Sequence, residues 1–293
     1  MLLDRFLNYI QYEKNYSPNT LTSYKKDLQN YLSFLDSQEF TIYDATHHQV
    51  RVYLASLIGD NLMQARSVNK IISTLRSFYK FLLREEVIAN NPMLLVKNLK
   101  TPKQLPGTIN EENLIELLDS QDTFTQDFAG QRDRIVMELL FGTGIRRSEL
   151  LTIKDQDIDF NKQTIRILGK GNKERIIPIY RSLAHVIKEY LTKRDYTFDK
   201  KTERLIVTNK GEEAYVNLIY EIVTHYLGRI STQRKISPHV LRHSFATSLL
   251  NRGAGINDIK ELLGHASLAA TQIYTHASVE KLKSIYKQAH PKA

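Results

Sequence analysis

Apolar residues in the first hundred positions fall into four stretches with helical spacing. Leu3, Phe6, Leu7 and Ile10 open the chain at intervals of three and four, which lays one stripe along an α-helix. The next stretch, SPNTLTSYKKDLQNYLSFL, begins with Ser17 as an N-cap and Pro18 at the first helical position, where its missing N–H and fixed φ are tolerated. Its stripe is Leu21, Tyr24, Leu28, Tyr31, Leu32 and Leu35. Val50, Tyr53, Leu54 and Leu57 define a third helix, and Ile71, Leu75, Phe78 and Leu82 a fourth.

The period then breaks. NNPMLLVKNLKTPKQLPGTIN holds Pro92, Pro102, Pro106 and Gly107, and each proline resists helix continuation. We read a helical domain over residues 1–98, a linker over 99–110 and a second domain over 111–293. In the second domain, leucine- and isoleucine-rich helical patterns are interrupted by QTIRILGKGNKERIIPI. Ile165 and Ile167 alternate with polar neighbours, as do Ile177 and Ile179, across a glycine- and asparagine-bearing turn, the pattern of a β-hairpin. The fold class expected is mainly α with one small β-sheet or hairpin, the second domain being α+β.

Charge changes this picture. The chain of 293 residues carries a formal net charge of +9, which favours a polyanionic partner such as DNA. On the fourth helix Arg76, Lys80 and Arg84 lie four residues apart, with Arg66 and Lys70 upstream on a related face, and only Glu85 and Glu86 oppose them. A row of this kind is either the solvated side of an amphipathic helix or a DNA-facing surface; we read the latter. The absence of cysteine removes disulfides, thiolate zinc sites and cysteine nucleophiles, and fits a cytoplasmic protein. No apolar run reaches the ~20 residues of a membrane span, and the first residues make a poor signal peptide.

The candidate chemistry centres on Tyr274, bracketed by Thr275 and His276 on one side and the segment from His265 on the other. A phenol with a pKa of about 10 is a weak nucleophile at neutral pH. To attack a phosphodiester it needs cations for the charge that builds on the non-bridging oxygens, and an acid for the leaving oxygen. Guanidinium groups suit the first task because they stay charged and donate in a fork. FGTGIRRSELL places Arg146 after a glycine turn at the start of a helix, whose N-terminus would add to an anion site. LGKGNKER places Lys170 in the hairpin turn, and SPHVLRHSFATSLL sets His239 and Arg242 three residues apart on one helix. Glu149, one turn after Arg146, is a supporting candidate. Two readings drop out: GKGNK lacks the Gly-Lys-Ser/Thr ending of a nucleotide loop, and HVLRH has Val240 where a zinc protease needs glutamate. His47 and His48 read as ordinary residues.

The order Arg, Lys, His-x-x-Arg, His, Tyr resembles the signature of the tyrosine recombinases, the lambda-integrase family. TGIRRSEL, GKGNKERIIP, HVLRHSFATSLL and ELLGH…TQIYTH resemble its Xer subgroup, and SPNTLTSYKKDL and LRSFYKFLLRE resemble that group's core-binding domain. Ala270 departs from the pattern, which has a threonine there. The resemblance implies a two-domain, C-shaped clamp on duplex DNA, with a SAM-like core-binding domain ahead of the catalytic domain. It implies Tyr274 as the nucleophile, Arg146 and Arg242 on the scissile phosphate, and Lys170 as general acid. His239 would assist proton transfer, and His265 would bond the phosphate. No metal or cofactor is implied. Four copies on two recombination sites would form a homo- or hetero-tetramer linked by exchange of the C-terminal tail, SVEKLKSIYKQAHPKA; a helix packed on its own domain is the alternative for that segment. A partner recombinase and a DNA-translocase activator remain open. The implied role is resolution of chromosome or plasmid dimers at cell division, on nucleoid DNA. An integrase or transposase of a mobile element is the runner-up. A DNA-binding protein without catalysis would explain the charge but not six filled catalytic positions.

Overall fold

The computed structural model describes residues 2–59, 63–101, 109–120, 122–169, 173–198, 202–231, 236–264 and 276–292. The chain divides into two compact units, Met1–Gln104 and Leu105–Ala293, each with its own hydrophobic core.

The first unit is helical. It contains α1 (Leu2–Asn8), continued by a π-helical turn (Tyr9–Glu13), then α2 (Pro18–Ser37), α3 (His47–Ile58) and α4 (Ala65–Arg84). Ser17 caps α2 by accepting from the Thr20 N–H at 3.4 Å, and Thr46 caps α3, with Gln49 reaching back to the Thr46 N–H at 3.1 Å. The expected stripes face inward. Leu28, Tyr31, Leu35, Val50, Leu75, Phe78 and Leu82 are buried, and Phe6 from α1 meets the Phe78 ring edge-on at 5.1 Å. Within this core the Tyr31 and Tyr79 hydroxyls pair at 2.6 Å. From α4 the Asn69 side chain bonds both the N–H and the carbonyl of Leu99, which ties the chain following that helix back to it.

The second unit contains α5 (Glu111–Asp119), α6 (Phe128–Thr143), α7 (Arg147–Leu150), a 3₁₀ turn (Asp155–Asp157), β1 (Ile158–Asp159), β2 (Thr164–Leu168), β3 (Glu174–Pro178), α8 (Arg181–Thr197), α9 (Val216–Leu227), α10 (Pro238–Asn251), α11 (Ile256–Leu263) and α12 (His276–Ala289). β2 and β3 pair antiparallel with Ile165 opposite Ile177 and Ile167 opposite Arg175, and β1 adds a short third strand. Helix α6 is the hub. Its residues from Ile135 to Thr143 are all buried, and it packs against α8, α9 and α10. Among the described residues no helix is long and apolar enough to cross a membrane.

In the single chain the tail packs on its own unit, the second of the two expectations for this segment. Leu282, Tyr286 and Ala289 of α12 are buried within their own unit. The Tyr286 hydroxyl donates to the Gly142 carbonyl at 2.6 Å, and the His290 ring stacks on Tyr286 at 4.7 Å. Burial pulls the His290 imidazole down to about 3, so it is neutral at physiological pH. Lys292 closes the contact by bridging Glu138 and Asp119, each at 2.8 Å. The free chain satisfies the apolar stripe of α12 in the nearest way available, on itself.

Candidate active site

Helix α6 ends at Gly144, whose φ of +60° is left-handed. A Cβ there would stand 2.4 Å from Phe245 Cδ1 and 2.9 Å from Leu263 Cδ2, so only glycine brings α6, α10 and α11 this close. The turn buries Ile145 and delivers Arg146 to the N-cap of α7. There Glu149 Oε2 accepts the Arg146 backbone N–H at 2.7 Å, and Oε1 accepts from Arg146 Nη1 at 2.8 Å. Helix α7 has four residues, and Glu149 accepts the N–H of its N-cap, Arg146. The Arg146 side chain, about a third exposed, supplies positive charge there.

At the other side of the site α11 ends at Gly264, also left-handed with φ +63°. The last carbonyls of a helix lack intrahelical partners and carry its negative pole. Here three arginines take three successive carbonyls. Arg175 Nε donates to Leu262 at 3.0 Å, Arg242 Nη2 to Leu263 at 2.7 Å, and Arg146 Nη2 makes a longer 3.5 Å contact with Gly264. Arg242 also donates through Nη1 to the Gly144 carbonyl at 2.6 Å, so one guanidinium joins both glycine turns. Burial first, then the adjacent Arg146 charge, pulls Arg242 down to about 10, and it stays protonated at neutral pH.

Glu149 is the carboxylate that joins Arg146 and Arg175. Both of its oxygens accept from Arg175 in a fork, Nη1 to Oε1 at 2.9 Å and Nη2 to Oε2 at 2.8 Å. Burial is the largest influence on its pKa and raises it. The bonds from Arg175 and Arg146 together outweigh burial and leave the carboxyl below its ordinary value. Among the described residues, the guanidinium groups of Arg146, Arg175 and Arg242 gather around the Glu149 carboxylate, with Arg146 partly exposed. Such a cluster suits a phosphodiester, whose charge grows during attack on phosphorus.

The remaining expected site residues are distributed as follows. His239 is exposed on the first turn of α10, three residues before Arg242, and no hydrogen bond joins its ring to another described residue. Lys170, His265 and Tyr274 lie outside the described residues; Gly169, Gly264 and His276 are their nearest described neighbours. Arg175 is a buried member of the cluster that the sequence reading missed. Its signal was available, because it stands two residues before Ile177 and four before Ile179, in phase with the buried side of the hairpin.

The basic row of the first unit is uneven. Arg66 and Lys80 are exposed. Lys70 bonds Ser23 and lies 3.9 Å from Asp27. Arg76 donates to the Val96 carbonyl at 2.9 Å. Arg84 pairs with Glu85 at 2.9 Å and Glu13 at 3.6 Å, and covers the Tyr9 ring at 4.1 Å. The sequence left Glu13 out of the count of opposing acids.

A buried arginine cluster on a mostly helical unit, downstream of a helical four-element unit, defines a class that family comparison makes definite. Residues 108–281 match the phage integrase family and residues 3–86 its N-terminal SAM-like domain, and the chain belongs to that family as a Xer-type tyrosine recombinase, a site-specific recombination enzyme. The Tyrosine recombinase XerC of Oceanobacillus iheyensis is 40% identical over 298 residues, spanning 100% of this chain and 97% of the relative. The Tyrosine recombinase XerD of Staphylococcus haemolyticus is 36% identical, over 100% of this chain and 99% of the relative. The fold is similar to that of a XerH site-specific recombinase bound to a palindromic difH substrate, with a TM-score of 0.71 at 21% identity over 97% of this chain and 93% of that one.

Proposed function

We propose that this recombinase cuts and rejoins duplex DNA at a specific site through a 3′-phosphotyrosyl intermediate on Tyr274. The Tyr274 oxygen bonds to phosphorus as the bond to the 5′-oxygen breaks. The phenol proton passes to His239 or water, and the leaving 5′-oxygen takes a proton from Lys170. Arg146 and Arg242 hold the non-bridging oxygens, and His265 adds a donor. Because the phosphodiester energy stays in the tyrosyl ester, rejoining needs no external energy source. The observation that carries this reading is the gathering of Arg146 and Arg242 on successive carbonyls at the end of α11, ten residues before Tyr274 in the case of Gly264.

The full identity range to both XerC- and XerD-named relatives supports resolution of chromosome or plasmid dimers as the role, on DNA in the cytoplasm. The working assembly would be four protomers on two sites, with the Leu282–Tyr286–Ala289 face of α12 leaving its own unit for a neighbour's. Arg66 and Lys80 would contribute phosphate contacts.

The test is a duplex carrying a recombination site with a nick beside the scissile phosphate. Cleavage releases a short fragment and traps the covalent complex. Wild type should give a protein–DNA adduct on a denaturing gel and Tyr274→Phe none. Equal adducts from both would overturn the assignment of Tyr274.

A further inference from the structure

We propose that Arg175 is a positioning residue for the cleavage step, holding Arg146 open toward the phosphate by saturating the Glu149 carboxylate. The proposal rests on the reading above, in which Arg146 grips the scissile phosphate.

The geometry makes the division of labour explicit. A carboxylate has about four in-plane acceptor positions. At Glu149 all four are filled: Oε1 by Arg175 Nη1 and Arg146 Nη1, and Oε2 by Arg175 Nη2 and the Arg146 backbone N–H. Arg175 takes the side of the carboxylate that a second guanidinium nitrogen of Arg146 would otherwise claim. Arg146 is therefore limited to one side-chain bond with Glu149, at Nη1, and among the described residues its Nη2 has only the 3.5 Å contact with Gly264. Without Arg175, the most favourable rearrangement is a two-pronged Arg146–Glu149 pair, which turns the donors needed by the phosphate inward.

Arg175 is also the point where three segments meet. It stands on β3, immediately after the residues that carry Lys170. Its guanidinium reaches Glu149 below Arg146, and its Nε fixes the Leu262 carbonyl at the end of α11. A Cβ on Gly264 would lie 3.0 Å from both Cδ and Nη1 of Arg175, so the glycine turn is moulded to this side chain. Strand β3, the Arg146–Glu149 turn and the end of α11 are thereby referenced to one another through a single buried fork. Lysine cannot replace it, since an ammonium is a point charge without the paired geometry.

The test uses the full chain and two nicked substrates, one with the ordinary scissile phosphate and one with a neutral methylphosphonate there. The neutral group builds less charge and depends less on a correctly aimed second guanidinium. Single-turnover adduct formation is measured for wild type, Arg175→Ala and Arg175→Lys. A misplacement of about 1 Å costs on the order of a hundredfold in rate. Arg175→Ala should therefore lose about a hundredfold on phosphate but under about tenfold on methylphosphonate, and Arg175→Lys should move the same way. The ratio of the two rates within each variant cancels any loss of folded protein. Equal losses on both substrates would assign Arg175 a merely structural role, and full restoration by lysine would show that charge alone suffices; either overturns the proposal. Absence of an adduct from wild type on both substrates would count against the reading under Proposed function, and the Arg175 proposal would fall with it.

Discussion

Replacing Glu149 by glutamine keeps the shape of the side chain and removes the carboxylate that joins Arg146 and Arg175. Four hydrogen bonds converge on its two oxygens, at 2.7 to 2.9 Å. A carboxamide retains one acceptor oxygen, and its NH₂ is set against arginine donors, so about half the bonds become donor against donor. Arg175 is buried and forks onto Glu149, so the variant removes the counter-ion of a buried guanidinium. Breaking a buried pair by removing one partner costs about 3–5 kcal/mol. For a unit the size of Leu105–Ala293, each kcal/mol shifts Tm by roughly 2–4 °C, giving a fall of about 6–20 °C. Calorimetry on the full chain, following the transition of that unit, measures it. The pH dependence carries the sign. A carboxyl held below its ordinary value stabilises fully above that value and loses the contribution as pH falls through the lowered one. The gap between wild type and Glu149→Gln should be widest at neutral pH and close in acid. A gap under about 1 kcal/mol, or one unchanged on acidification, would refute the view of Glu149 as the ionised hub of the cluster.

Three further outcomes are expected. Gly264→Ala, at φ +63° and with its Cβ 3.0 Å from Arg175, should lower stability by about 1–3 kcal/mol in urea titration and slow adduct formation as well. Leu282→Ala should cost about 2–5 kcal/mol in the DNA-free chain, because the side chain is buried within its own unit; a loss under about 1 kcal/mol would mean that the tail does not pack there in solution. In the first unit, Tyr31→Phe and Tyr79→Phe should each cost about 1–2 kcal/mol and the double variant less than their sum, since each single change leaves one buried hydroxyl of the 2.6 Å pair without its partner.

The helical half of this fold was readable because its signals are local. Ser17 and Pro18 start α2 where capping chemistry requires, and the stripes of α2 and α4 turned inward as their period demands. The hairpin was readable from the alternation at Ile165, Ile167, Ile177 and Ile179. The π-helical turn at Tyr9–Glu13 was not, since it depends on how α1 settles against α2 and α4 and has no marker residue. The two-residue strand β1 is defined by its pairing with β2 alone. In the site, glycine turns and basic residues announced themselves, but their pairing did not. Arg146 meets Gly264 across 118 positions, and Arg175 meets Leu262 across 87. The same distance hid the role of Arg175, a charge in phase with buried isoleucines; Glu149 was legible as a supporting residue from its place one turn after Arg146, but its second partner, Arg175, was not. Local pattern reports which face a residue occupies; which opposite charge waits there depends on the topology.

The central claim, that the arginine cluster serves a covalent attack by Tyr274, is tested most directly by locating the bond. The trapped protein–DNA complex is digested with trypsin and nuclease and the modified peptide is sequenced by mass spectrometry. The tryptic peptide Glu261–Lys281 contains one tyrosine, Tyr274. The account predicts a phosphate-linked nucleotide remnant on that residue. A remnant on any other residue, or a complex that separates without a covalent remnant, would contradict it.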